Sequence, residues 1–212
     1  MPAVSREEVV GVILAGGAGQ RMGGRDKPLL PLAGRPLLAH VVERLRPQVA
    51  ELVLNANGEA TRFAAFGLPV VADAGAERAG PLAGILAGLS WTAANAPKAR
   101  WIMTAPADTP FFPRECLARF SKAVGGTRQI AVARSRGAVH GVAALVPVEL
   151  RDDLGKWLIS PTDLAVRAWL RRHPSVMVDF ADDDGVDPFF NVNTPQDLAK
   201  AEATVAQRNQ SA

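Results

Sequence analysis

Val9-Val-Gly-Val-Ile-Leu-Ala15, running into Gly16-Gly-Ala-Gly-Gln-Arg-Met-Gly-Gly-Arg-Asp-Lys27, is the stretch that decides the fold. Its first part is β-branched and uninterrupted by polar residues, the pattern of a strand buried on both faces in a parallel sheet. Its second part packs five glycines and the cations Arg21 and Lys27 into a dozen positions. Glycine lets a backbone reach positive φ and approach a ligand without Cβ clashes. Successive N–H groups in such a loop cradle phosphate oxygens, and Arg and Lys add charge-assisted bonds to a polyphosphate. Two familiar glycine motifs fail here. The dinucleotide fingerprint needs a third glycine where Met22 stands, and the P-loop needs Lys-Ser/Thr where Arg25-Asp26 stands. The segment reads as an anion-binding loop of another kind rather than a bare surface turn.

Outward from this loop, short apolar runs alternate with helical spacing, as βα units do. Helices are expected over 36–46, from Gly80-Pro81 to about Ala93, over 148–158 and 164–172, and from Thr194 onward. Strands are expected over 51–55, 69–72, 100–105, 130–133, 139–145 and 175–179. Gly84 and Gly88, four apart on one helix face, suggest a close approach to the sheet. Thr194-Pro-Gln-Asp197 has a capping residue, a proline in the first turn and an acid three after the cap. The expected fold is α/β, a three-layer Rossmann-like domain with a mostly parallel central sheet. One domain spans 1–212, in two halves over about 9–110 and about 111–208. In such sheets ligands lie beyond the carboxyl ends of the strands.

The 212 residues suffice for one core without staples. Cys116 is the single cysteine, so no intramolecular disulfide can form, which points to a reducing compartment. No basic-then-apolar leader and no run near the ~20 residues of a membrane span is evident. A cytoplasmic protein without membrane partners is expected. The net charge of +3, with no dense basic run and no tyrosine, argues against nucleic acid and suits small anionic ligands.

Leu14-Ala-Gly-Gly17, Arg21-Met-Gly23 and Lys27 match L-A-G-G-x-x-x-R-M-G-x-x-x-K, so the chain resembles nucleotidyltransferases of the sugar-nucleotide and molybdopterin-nucleotide type. Asn55-Ala-Asn57, Asp73, Gly80-Pro-Leu-Ala-Gly84, Pro106-Ala-Asp-Thr-Pro110 and Asn191-Val-Asn-Thr-Pro195 narrow the likeness to the molybdenum cofactor guanylyltransferases, over nearly the whole chain. The resemblance implies transfer of GMP from GTP to the phosphate of molybdenum-molybdopterin. It also implies Mg²⁺ as cofactor and molybdoenzymes or their chaperones as receivers of the product. Gly16-Gly17 leans towards GTP, where CTP-using relatives tend to read L-A-A-G. The alternatives are a CMP-pterin or nucleotide-sugar transferase, or a non-catalytic nucleotide-binding protein.

Asp108 falls just past an apolar strand, between Pro106 and Pro110, where a carboxylate can hold Mg²⁺ as well as form a turn. Arg21, Lys27 and Asp108 are the candidate catalytic residues. Leu14, Ala15, Gly16, Gly17, Lys27, Asn55, Asp73 and Asp108 are the candidate nucleotide contacts, those of Asn55 and Asp73 implied by the resemblance. Asn191 and Asn193 alternate along an extended segment, and their amides suit a pterin edge. His40 and His173 read as structural, and Cys116 as an inert buried thiol. His140-Gly141 stands where many of the resembled proteins have His-Pro, so His140 carries no assigned role.

Overall fold

The computed structural model describes residues 3–16, 21–22, 25–73, 80–159 and 164–211. Seven strands form the central sheet: β1 Val9–Leu14, β2 Glu51–Asn55, β3 Val70–Val71, β4 Trp101–Pro106, β5 Ile130–Ser135, β6 Ala138–Pro147 and β7 Ser175–Asp179. Their spatial order is β7-β5-β6-β4-β1-β2-β3. β1 pairs in parallel with β2 and β4, β2 with β3, and β5 with β7. β6 runs antiparallel to both its neighbours, so the sheet is mostly parallel with one reversed strand. The reversal is set locally. Arg136 and Gly137, between β5 and β6, both take positive φ (48° and 78°), which makes the two-residue turn whose twist suits a hairpin.

Among the described residues there are six α-helices, α1 Leu37–Leu45, α2 Pro81–Asn95, α3 Cys116–Val124, α4 Arg151–Ile159, α5 Val166–Leu170 and α6 Pro195–Ser211; the first five pack on the sheet, and α6 packs on a smaller cluster with Leu30, Leu32 and Phe111. Every residue of β1 is buried, and its side chains divide by period two. Val9 and Ile13 join a core with Leu38, Val41 and Leu45 of α1 and Phe120 of α3. Val10, Val12 and Leu14 face Leu82, Ile85 and Leu89 of α2, together with Trp169 of α5. Burial on both faces is why the sequence run has no polar alternation. A Cβ on Gly88 would stand 2.7 Å from a Val12 methyl, and one on Gly84 2.3 Å from Asn55 Oδ1. The two glycines let α2 lie hard against β1 and β2.

Three expectations are adjusted. The helix expected over 148–158 begins as a 3₁₀ turn, Val148–Leu150, before α4, because Pro147 at its entry holds extended backbone. The next helix is trimmed to α5, since Ala165 is also extended. Within the glycine-rich segment, Arg21–Met22 and Arg25–Asp26 pair as a short antiparallel ribbon, and Lys27–Leu29 is a 3₁₀ turn around Pro28. Among the described residues no helix is long and apolar enough to cross a membrane.

Candidate active site

The carboxyl edge of β1 and β4 opens into a cleft of about 270 Å³. Leu14, Ala15, Gly16, Lys27, Asp108, Asn191 and Asn193, all singled out from the sequence, line it. Backbone bonds continue the sheet into this edge: Ala15 N–H donates to Asn55 O at 2.8 Å, and Ala107 N–H to Leu14 O at 3.0 Å. That continuation places Asp108 beside the start of the glycine loop. Gly17 lies outside the described residues. Of Arg21 the backbone is described, in the short ribbon, and its expected role is not addressed by it.

Three distant segments meet at Lys27. Its Nζ makes an ion pair with Asp108 Oδ2 and donates a hydrogen bond to Asn193 Oδ1. The Lys27 and Asp108 side chains retain only 11% and 21% exposure, so water screens this pair less than a surface pair. Asp108 is the carboxylate on the cleft wall. No group of three or more His, Cys, Asp or Glu that could hold a metal occurs among the described residues.

Asn55 and Asp73 form a second group around Gly16. Asn55, at the end of β2 and 1% exposed, donates from Nδ2 to Asp73 Oδ1 at 2.9 Å and to Val71 O at 3.2 Å. Asn57 donates from Nδ2 to Asp73 Oδ2 at 2.6 Å and accepts the Asp73 N–H on its own Oδ1 at 2.9 Å. A Cβ on Gly16 would come within 3.2 Å of Asn55 Oδ1 and 3.4 Å of Asp73 Oδ1. The missing side chain therefore leaves the loop backbone against these polar atoms.

Asn191 and Asn193 sit on a strap that runs from Asp187 into α6. Asn191 Oδ1 accepts from Thr109 Oγ1 at 2.7 Å, and Val192 N–H donates to Asp108 O at 2.9 Å. Asp197 Oδ2 accepts the N–H groups of Asn193 and Thr194 at 3.1 and 2.9 Å, while Thr194 Oγ1 accepts from Asp197 N–H at 3.1 Å. The expected capping arrangement at α6 is therefore present, and it frees both Asn side chains for other partners.

The strap's far end is held by residues the sequence did not single out. Ser135 Oγ donates to Asp187 Oδ1 at 2.7 Å and lies 2.7 Å from His140 Nε2. If the hydroxyl proton serves Asp187, the imidazole supplies the other one. The Asp187 carboxylate thus faces serine rather than histidine, which is the wrong order for a nucleophilic triad. The His140 ring stacks on Phe189 at 4.8 Å. Burial pushes its pKa below the usual histidine value, and the Asp187 charge acts in the opposite direction. His40 and His173 are structural as expected, bonded to Leu32 O and Asp153 at 2.9 Å each. Cys116 opens α3 fully buried, with its thiol pKa pushed well up by burial and then by Glu115. Pro28, Pro81 and Val142 also line the cleft, and Val142 comes from an irregularity in β6 that no local sequence signal announced.

Residues 11–176 match the family model described as a MobA-like NTP transferase domain. The molybdenum cofactor guanylyltransferase of Rhodopseudomonas palustris (strain BisB5) is 48% identical over 203 residues, covering 95% of this chain and 96% of that protein. Molybdopterin-guanine dinucleotide biosynthesis protein A from Archaeoglobus fulgidus superposes with a TM-score of 0.70 at 22% identity, covering 94% and 99% of the two chains. Rv0371c of Mycobacterium tuberculosis, solved in complex with manganese, superposes with a TM-score of 0.67 at 22% identity over 93% and 99%. The two solved structures share the fold.

Proposed function

This chain belongs to the MobA-like NTP transferase family, alongside the molybdenum cofactor guanylyltransferases, and from that premise we propose that its cleft transfers GMP from GTP to molybdenum-molybdopterin. The acceptor's terminal phosphate oxygen attacks the α-phosphorus in line and the α–β bridging bond breaks. Pyrophosphate leaves and molybdopterin guanine dinucleotide forms. The acceptor phosphate is already an anion near neutral pH, so no covalent enzyme intermediate is needed. A single unit holds both substrates: residues of about 9–110 serve the nucleotide and residues of about 111–208 the acceptor.

The convergence of Lys27, Asp108 and Asn193 carries this reading. A cation from the glycine loop, a carboxylate after β4 and an amide from the strap are what two phosphates and a pterin require. When substrates enter, Lys27 exchanges Asp108 and Asn193 for phosphate oxygens. Asp108, so freed, would hold a divalent cation, and Asn193 would contact the pterin. One carboxylate fits Mg²⁺, which commonly keeps several waters and completes its shell with substrate phosphates. The solution of the similarly folded M. tuberculosis protein in complex with manganese is consistent with the use of a divalent ion. When bound, the ion neutralises charge on the phosphates.

The chain's own work is alignment and charge balance. Leu14, Ala15, Gly16 and Gly17 present backbone to the nucleotide, Arg21 and Lys27 offset phosphate charge, and Asn55 and Asp73 contact the nucleoside. The amino end of α2, at Pro81 on the cleft wall, adds a favourable dipole for anions. Asn191 and Asn193 take the pterin, and molybdoenzymes or their chaperones receive the product. The test is pyrophosphate release from GTP, CTP, ATP and UTP with molybdenum-loaded molybdopterin. Acceptor-dependent release from GTP is expected. Asp108→Ala should lower turnover about 10²–10³-fold, the usual loss on removing one preorganised electrostatic group. Near-normal turnover of that variant, or release from CTP alone, would overturn the assignment.

A further inference from the structure

Two polar residues that line no part of the cleft, Asn57 and Arg62, hold the Asp73 carboxylate and the residue before Lys27. Asn57 grips Asp73 from two sides, through Nδ2–H to Oδ2 and through Oδ1 from the Asp73 N–H. Asn55 grips the other carboxylate oxygen. Each oxygen of Asp73 therefore has one amide partner and keeps lone-pair capacity for another donor. Both oxygens also lie close to where a Gly16 side chain would stand, at 3.4 and 3.6 Å.

Arg62 extends the bracket. It donates from Nη2 to Asn57 O at 2.6 Å, and its Nε lies 3.2 Å from Asp26 Oδ2. Asp26 is the residue immediately before Lys27. Its side chain and that of Arg62 are 28% and 24% exposed, so this link is partly shielded from solvent. The chain Lys27-Asp26–Arg62–Asn57–Asp73 thus runs outside the cleft and links the lysine on its wall to the Asp73 carboxylate beside Gly16.

We propose that Asn57 and Arg62 are positioning residues for base selection: Asn57 fixes the rotation of the Asp73 carboxylate so that its two oxygens meet the paired N1–H and N2–H₂ donors of guanine, and Arg62 fixes its distance from Lys27. This inference rests on the GTP-using reading above. A carboxylate held edge-on accepts two parallel N–H donors from guanine. Hypoxanthine has only N1–H on that edge, and cytosine offers one amino group beside acceptors. Free rotation of Asp73 would remove the second bond first, so the loss would fall on guanine more than on hypoxanthine.

The experiment is equilibrium binding of GTP, ITP, CTP and 2′-deoxy-GTP by calorimetry, with Mg²⁺ and without acceptor, on the full chain. In the unaltered protein GTP should bind more tightly than ITP. Asn57→Ala should weaken GTP about tenfold and ITP only two- to threefold, shrinking the preference between them. Asn57→Asp keeps size and the acceptor for the Asp73 N–H but turns an oxygen on Asp73 Oδ2, and it should do the same with the fold retained by thermal melting. Arg62→Ala should weaken GTP and ITP together, and Arg62→Lys should recover part of that loss through Asp26. A GTP-to-ITP ratio unmoved by both Asn57 variants overturns the proposal. A collapse of the GTP-to-deoxy-GTP ratio instead also overturns it, because it places Asp73 on the ribose. Asp73→Ala separates the two levels: if it leaves GTP affinity intact, the nucleotide role of Asp73 is wrong, whereas loss with Asp73→Ala but not with the Asn57 variants sinks only the present inference.

Discussion

Three glycine-to-alanine changes separate helix propensity, packing and nucleotide binding. Alanine in a helix interior is worth about 0.5–1 kcal/mol over glycine. At Gly155, inside α4, a Cβ meets nothing within 4 Å, so Gly155→Ala should stabilise by about that amount. At Gly88 the new Cβ lies 2.7 and 2.8 Å from the two Val12 methyls, well inside contact distance on a buried strand. Overpacking of this kind costs roughly 1–3 kcal/mol, so Gly88→Ala should be net destabilising by up to about 2 kcal/mol. At Gly84 the Cβ would lie 2.3 Å from Asn55 Oδ1 and 2.9 Å from both Asn55 Cγ and a Leu14 methyl. Gly84→Ala must therefore also displace Asn55 and strain its bond to Asp73. For a chain of this size 1 kcal/mol moves Tm by about 2–4 °C, so calorimetric melts resolve the series. The expected order of Tm is Gly155→Ala, unaltered protein, Gly88→Ala, Gly84→Ala. GTP affinity should fall about tenfold for Gly84→Ala and stay near normal for Gly88→Ala. Two stabilised α2 variants would refute the close helix–sheet packing. Equal GTP affinity in the two would refute a nucleotide role for Asn55.

Further outcomes are expected elsewhere. Asn193→Ala should raise the KM for the pterin acceptor and spare that for GTP; a rise for GTP alone would reverse the assignment of the strap. The Cys116 thiol, buried and held protonated, should react with a disulfide reagent only after denaturation, and rapid labelling of the native protein would contradict its burial. His140 has a folded pKa below its unfolded value of about 6.5, so protons bind the unfolded chain more readily there. Its contribution is fully present above about pH 6.5 and is lost as pH falls towards the folded pKa. His140→Gln should therefore flatten the loss of denaturant stability between pH 7 and 5, and an unchanged slope would refute the burial of its uncharged form.

Legibility tracked the range of the interactions concerned. β1 and the glycine loop were readable because strand burial, glycine freedom and clustered cations are local properties of one short stretch. Asp108 was readable because two prolines and an apolar strand place it at a sheet edge. The cap of α6 was readable because Thr194 and Asp197 are three residues apart. The reversed direction of β6 was less so: Val139–Leu145 reads like any strand, and the turn at Arg136-Gly137 decides its sense. Ser135 and Asp187 are 52 positions apart and neither lies in a motif, so their bond became visible only in three dimensions. Asn57 was quoted within a resembling segment, but its grip on Asp73 depends on how β2 and β3 align.

The contact between Lys27 and Asn193 spans 166 positions of sequence. Pairings that distant close large loops and tend to form late, after the local elements they join. During synthesis the glycine loop, β2 and the Asp108 turn all leave the ribosome well before the strap is made. On the function proposed above, the site is assembled in the direction of translation: a cradle for nucleotide first, and a seat for the acceptor only when the strap docks. On that reading, a chain interrupted between Asp108 and Asn193 would hold a donor with nowhere to send its guanylyl group.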